Sequence, residues 1–258
     1  MSGLSWIVFA SFFLLCYTPI TSSSSFYKNT SRHLCVQADR FALLELKADL
    51  NLSNAWVEEN DCCGWEGVTC NLLTGHVIQL AATPRPLPPP SGPPCGGTIS
   101  PNSSLFLLHH LEVLDLSRNY IYSSLPPNIN ALSHLRYLNL SSNMIDGEIP
   151  TKISQLSQLI SLDLSNNNIN SSFPSNISAL SHLRYLNLSL NSFYGEISIE
   201  INQLSRLTSL DLTNVYGEPK MQMPDLDKIV RNMTLLRELH QSGVNINSSF
   251  PDSLTCLR

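Results

Sequence analysis

Leucine recurs along the chain at two superposed spacings. Leu111, Leu135, Leu159, Leu183 and Leu207 stand 24 residues apart, and each opens a run of the form L-x-x-L-x-L: LEVLDL, LRYLNL, LISLDL, LRYLNL and LTSLDL. The last two leucines of a run are two positions apart, which is the spacing of one face of a β-strand. The pattern therefore predicts short strands with leucine inward and the residue between them outward. The segment ALSHLRYLNLS occurs unchanged at 131–141 and 179–189, so the array arose by duplication. Pro126, Pro150 and Pro174 stop any long helix, which excludes a coiled coil.

A single unit of this size cannot bury its leucine face alone. Units must stack, their strands must pair in parallel, and the leucines must form a continuous column. Each buried leucine contributes roughly 1.5–3 kcal/mol, so a charge at Leu138, Leu162 or Leu186 collapses the local stack. A second series runs in the same register. Asn119, Asn143, Asn167 and Asn191 each lie eight residues after an opening leucine. There the chain turns off the strand and leaves peptide groups unpaired, and an amide side chain can satisfy such groups in adjacent turns. The expected fold is an α/β solenoid, a right-handed superhelix with short parallel strands on its concave face.

The N-terminus is of another kind. Trp6 to Ile20 is almost continuously apolar and runs into small residues from Thr21 to Ser25, which reads as a secretory signal over residues 1–23. A signal anchor is the competing reading, although the run is shorter than the ~20 residues of a spanning helix. No other stretch in the chain is apolar over that length. Removing Cys16 with the signal leaves Cys35, Cys62, Cys63, Cys70, Cys95 and Cys256, an even set that suits disulfides in an oxidising compartment. Neighbouring Cys62 and Cys63 each need an outside partner, and zinc ligation is the weaker alternative because C-x2-C pairs are missing. Asn-x-Ser/Thr sequons at Asn29, Asn51, Asn102, Asn139, Asn170, Asn176, Asn187, Asn232 and Asn247 are candidate glycosylation sites in the same compartment.

Composition limits the chemistry. With 43 leucines and 43% hydrophobic residues the chain is too apolar for disorder, and a net charge of -5 speaks against a nucleic-acid partner. No nucleophile, base and orienting group recur in a catalytic pattern, no metal or cofactor is expected, and His134 and His182 are turn residues in duplicated contexts. The expectation is a binding surface and not an enzyme. Its outward residues form ladders, with Glu112, Arg136, Ile160, Arg184, Thr208 and Arg237 in one register and Val113, Tyr137, Ser161, Tyr185, Ser209 and Glu238 in the next. Asp115, Asn139, Asp163, Asn187, Asp211 and His240 stand between the core leucines. Arg136, Tyr137, Asp163, Arg184, Tyr185 and Asp211 are the ligand-binding candidates, since tyrosine and arginine dominate binding hot spots. The competing reading is that they are solvated strand residues, and a glycan at Asn139 or Asn187 would cover the same face.

Several segments resemble a known family. FALLELK at 41–47, DCCGWEGVTC at 61–70 and TGHV at 74–77 are similar to the N-terminal cap of plant extracellular leucine-rich-repeat proteins. Residues 135–156 resemble the plant-type unit LxxLxLxxNxLxGxIPxxL, with Gly147, Ile149 and Pro150 in place. CGGTISPNSSLFLLHHLEVLDLS and LLRELHQSGVNINSSFPDSL resemble segments of plant receptor-like proteins of the fungal-resistance type. The resemblance implies disulfides Cys35–Cys62 and Cys63–Cys70. It also implies a protein or peptide ligand, or one derived from the cell wall, in defence or development, with signalling through a partner receptor kinase and a place at the extracellular face of the plasma membrane. A secreted inhibitor of wall-degrading hydrolases is the alternative, and a truncated, non-functional receptor fragment is the third reading.

The expected organisation is a cap at 24–76, a degenerate first repeat at 77–110, regular repeats at 111–215 and an irregular, truncated end at 216–258. Seven prolines among residues 83–94 break the first repeat and read as polyproline II. Val215 replaces the ladder asparagine, Leu236 arrives 29 residues after Leu207, and Gln241 replaces a core leucine. The chain ends inside a repeat and is expected to be a fragment, with Leu254 and Leu257 uncapped and solubility poor.

Overall fold

The computed structural model describes residues 34–52, 56–84, 96–214, 221–223 and 225–246. The signal segment, Cys16, Cys95, Cys256, Asn29, Asn247, Val215, Leu254, Leu257 and most of the proline-rich stretch lie outside the described residues. The strands are β1 (Val68–Cys70), β2 (Val77–Ala81), β3 (Val113–Asp115), β4 (Tyr137–Asn139), β5 (Ser161–Asp163), β6 (Tyr185–Asn187), β7 (Gly195–Glu196), β8 (Ser209–Asp211), β9 (Met221–Met223), β10 (Glu238–His240) and β11 (Asn245–Ile246). The helices are α1 (Gln37–Asp49) and α2 (Leu226–Val230).

The repeat spacing fixes the register of the main sheet. Its order is β1-β2-β3-β4-β5-β6-β8-β10, and every pairing from β2 onward is parallel. Leu80, Leu114, Leu138, Leu162, Leu186, Leu210 and Leu239 face one another in turn along it. Through Leu210 these leucines are no more than 1% exposed. Leu116, Leu140, Leu164, Leu188 and Leu212 form a second buried column beside them. The return segments are short 3-10 turns, and two of them, Thr151–Gln155 and Ser175–Ala179, begin directly after Pro150 and Pro174. A proline is harmless there because the first amides of a helical turn have no internal partner. A smaller parallel sheet, β11-β9-β7, gathers the segments beyond the strand exits.

The asparagine side chains close the turns. Asn143 donates from Nδ2 to the carbonyls of Leu116 and Leu140, both at 3.0 Å, and accepts on Oδ1 from the amides of Asn119 and Ile121, also at 3.0 Å. Asn167 repeats this with Leu140, Leu164 and Ile145, and Asn191 with Leu164, Leu188 and Ile169. Each amide thus joins its own turn to the preceding one. Asn119 comes first in the series, and its Oδ1 is buried without a hydrogen-bond partner among the described residues. The backbone beside each ladder position is left-handed, at Arg118, Ser142, Asn166 and Leu190, with φ between 54° and 57°. That conformation turns the chain off the strand, and it is least natural for Leu190.

The cap departs from the parallel pattern. Strands β1 and β2 form an antiparallel hairpin, so β2 is the switch between cap and array. Helix α1 buries Ala42, Leu43 and Leu46 on one stripe. Gly97 fits where the chain meets the end of α1, because a Cβ there would run into the Asp49 carbonyl and Leu50. The distal end is less regular: Leu239 is only partly buried, and Gln241 Oε1 is buried without a partner among the described residues.

Replacing Asn143 by alanine leaves the amides of Asn119 and Ile121 and the carbonyl of Leu116 unpaired inside the stack, while the Leu140 carbonyl keeps Asn167. The expected loss is about 2–4 kcal/mol of unfolding free energy by chemical denaturation. Alanine at exposed Asn168, outside the ladder, is expected to cost less than about 0.5 kcal/mol.

Candidate functional site

The outward residues between the core leucines are engaged at home. Oδ1 of Asp115, Asn139, Asp163, Asn187 and Asp211 each accepts from the amide two residues on, at 2.9 to 3.1 Å. The hydroxyls of Ser141, Ser165 and Ser189 donate to the same oxygens at 2.6 to 2.7 Å. This is the Asx turn that ends each strand. The second atoms are partly committed too, since Asn139 Nδ2 donates to Asp115 Oδ2 at 3.2 Å and Asn187 Nδ2 to the Tyr185 hydroxyl at 3.1 Å. Of the two acidic ligand candidates, Asp163 is therefore built into the face. Burial raises its carboxyl above the ordinary range, opposed by the Ser165 hydrogen bonds. Asp211 keeps Oδ2 without a partner among the described residues. The Ser of the sequons at Asn139 and Asn187 is in each case the structural partner of its Asn.

Identical sequence yields different tyrosines. The Tyr185 hydroxyl lies 3.5 Å from Asp163 Oδ2, and the ring is half-buried. Burial, and then the Asp163 charge, push its phenol up to about 12. Tyr137 occupies the same register and is 44% exposed. The difference lies in the neighbouring strand, where β5 presents Ser161 beside Tyr185 and β3 presents branched Val113 beside Tyr137. On the following strand both tyrosines meet a serine, Ser161 beside Tyr137 and Ser209 beside Tyr185, so the contrast is confined to the preceding strand. The arginines differ for a similar reason. Arg136 reaches Glu112 at 3.8 Å across the preceding strand, an exposed pair worth little. Arg184 has Ile160 at that place and forms no ion pair among the described residues.

Cap chemistry is structural. Cys35 is bonded to Cys62 and Cys63 to Cys70. The four sulfurs lie within 4.8 Å of one another, but bonded in pairs they offer no thiolate to a metal. Trp56 and Trp65 stack at 5.4 Å within the cap. Asp39, buried in α1, accepts from the Val77 amide at 2.8 Å and so pins β2 to the cap. Sequence reading passed over Asp39, and only its place in the first turn of an amphipathic helix hinted at it. His134 and His182 each direct Nδ1 to a backbone carbonyl at 3.0 Å, of His109 and Ser157. An Nδ1 that donates there cannot take a proton from a neighbouring serine. A small cleft of about 190 Å³ beside Phe173 and Asn176 contains only one ionisable residue, Glu148.

Stacked parallel strands, an amide ladder and a disulfide-closed cap define a leucine-rich-repeat module. Residues 95–258, more than half of the chain, match the family model described as leucine-rich repeat region, and residues 36–71 match leucine rich repeat N-terminal domain. The chain belongs to the leucine-rich-repeat family. It is similar to Receptor-like protein 35 of Arabidopsis thaliana, with 36% identity over 123 residues, 38% of this chain and 12% of that protein. The chain thus spans only a small part of that relative's length. Among solved structures it resembles a plant ice-binding protein, at TM-score 0.65 and 26% identity over 86% of this chain and 78% of that one. It also resembles the plant peptide hormone receptor RGFR1 in complex with RGF2, at TM-score 0.59 and 29% identity over 71% of this chain and 26% of that one. No helix among the described residues is long and apolar enough to cross a membrane.

The face makes two predictions. Asn187 is 7% exposed, with no room for a sugar in the folded stack. Glycopeptide mapping of the protein expressed through a secretory route should find it bare, with occupancy at exposed sequons such as Asn170. The raised Tyr185 phenol also means that the folded chain holds its proton more tightly than the unfolded chain does. Stability should therefore fall as pH rises from about 10 to about 12, and Tyr185→Phe should flatten that fall in denaturation midpoints.

Proposed function

We propose that the chain is an extracellular recognition module that binds a peptide or protein ligand across the outward face of β3 to β8, without transforming it. The observation that carries this reading is the separation of roles on that face. The Asx column is engaged in closing turns, while Tyr137 and Arg184 stand exposed in neighbouring registers, with no side-chain hydrogen bond or ion pair among the described residues. An exposed phenol and an unpaired guanidinium are the groups that anchor interfaces, and rigid strands fix the distance between them. The likeness to a receptor-like protein and to a peptide hormone receptor supports the peptide or protein class. The likeness to an ice-binding protein is a reminder that this scaffold serves other tasks, so the argument rests on side chains and not on fold.

In this reading the ligand offers a carboxylate or another acceptor to Arg184 and an apolar patch to Tyr137. Signalling proceeds through a partner receptor kinase, and the chain works in the secretory pathway or at the outer face of the plasma membrane, in defence or development. The test is selection of a displayed random-peptide library on the secreted protein. Peptides that bind the unmodified chain should lose at least about tenfold in affinity for Tyr137→Ala and for Arg184→Ala, both with unchanged melting. Equal affinity for all three proteins would contradict the assignment. Inhibition of a wall-degrading hydrolase by a chain that selects no peptides would favour the inhibitor reading.

A further inference from the structure

The register that aligns the leucines also aligns three imidazoles. Gln79 faces Val113 and Val113 faces Tyr137, so the residues three places before them, His76, His110 and His134, form one column from the cap into the repeats. Ring centroids lie 3.9 Å apart between His76 and His110, and 5.9 Å apart between His110 and His134. Both outer rings are tethered. His76 Nδ1 lies 3.2 Å from Asp39 Oδ2, the same oxygen that holds the Val77 amide, and His134 Nδ1 meets the His109 carbonyl. His110, between them, has no hydrogen bond of its own among the described residues.

We propose that this column is an acid-sensitive clasp between the N-terminal cap and the repeats, closed while the rings are neutral and loosened when His110 takes up a proton. Rings in contact cannot all become cations without repulsion, and the tethers prevent the outer two from swinging clear. Asp39 of α1, His76 after β1, His109 alongside and His134 before β4 are the ionisable groups that act on His110, and only Asp39 favours its cation. His110 is itself an exposed residue, and the desolvation imposed by its neighbours first, and then His76, hold its imidazole below the ordinary range. The sign follows from proton counting. Over that interval the unfolded chain binds a proton that the folded chain refuses, so the clasp is at full strength above about pH 6.5 and weakens as pH falls through the lowered value.

His182 is the internal control. It lies in the duplicated segment and makes the same carbonyl contact as His134, but its register neighbours are Gln158 and Arg206. The experiment is an NMR titration of the histidine rings in the intact secreted protein, assigned with His76→Gln, His110→Gln, His134→Gln and His182→Gln, together with amide exchange corrected for intrinsic rates. His110 should titrate below the ordinary imidazole range. Between about pH 7 and about pH 5, exchange at Leu80 and Leu114 should speed up several-fold while Leu186 and Leu210 stay constant. His110→Gln should abolish that acceleration and His182→Gln should leave it. Should His110→Gln fail to fold, the ring titration of the unmodified chain decides. Titration of His110 in the ordinary imidazole range, absence of acceleration at the junction, or equal acceleration in folded His110→Gln would each overturn the proposal.

Discussion

A chain that leaves a strand and doubles back around a leucine core exposes peptide groups where no water can reach them. Every turn of this solenoid has to find partners for those groups, because an unpaired buried amide or carbonyl costs as much as a good side chain contributes by burial. The amides of Asn143, Asn167 and Asn191 meet the demand by reaching one turn back as well as into their own. Leucine burial supplies the driving force, and the ladder determines that it is satisfied by one register only. Position in the sheet follows from that register, for the hydroxyl of Tyr185 as for the rings of the histidine column.

Function sits on what this bookkeeping leaves over. The residues between the core leucines look free in sequence, but their side chains close the strand exits. The residues one register earlier are released from structural duty, and their local neighbours then decide which can meet a ligand. Tyr137 stands up beside Val113, Tyr185 lies down beside Ser161, Arg136 is drawn to Glu112, and Arg184 beside Ile160 forms no ion pair among the described residues.

The strands, their parallel register and the leucine columns were legible in sequence because they depend on spacing alone. The contrast between Tyr137 and Tyr185 was not, since both lie in the same eleven-residue segment and differ only through the strand alongside. Asp163 was read as a ligand candidate from its outward place alone, and spacing gave no sign that the Ser165 hydroxyl and the Tyr185 phenol also meet its carboxylate. The antiparallel β1–β2 hairpin and the role of Asp39 were also hidden, because the cap has no repeat from which to infer register. The histidine column was legible in principle, each ring standing just before the first buried residue of its repeat, but its members sit in three different local contexts.

The central claim is that side-chain amides, and not solvent, satisfy the interior turns. Residue-resolved hydrogen exchange of the amides of Ile145 and Ile169 tests it most directly, since each donates to the Oδ1 of an asparagine in the next repeat, at 2.9 and 3.1 Å. The account predicts protection close to that of the strand amides at Leu138 and Leu162, released only in global unfolding. Exchange of Ile145 and Ile169 at the rate of open loop amides, while the strands stay protected, would contradict it.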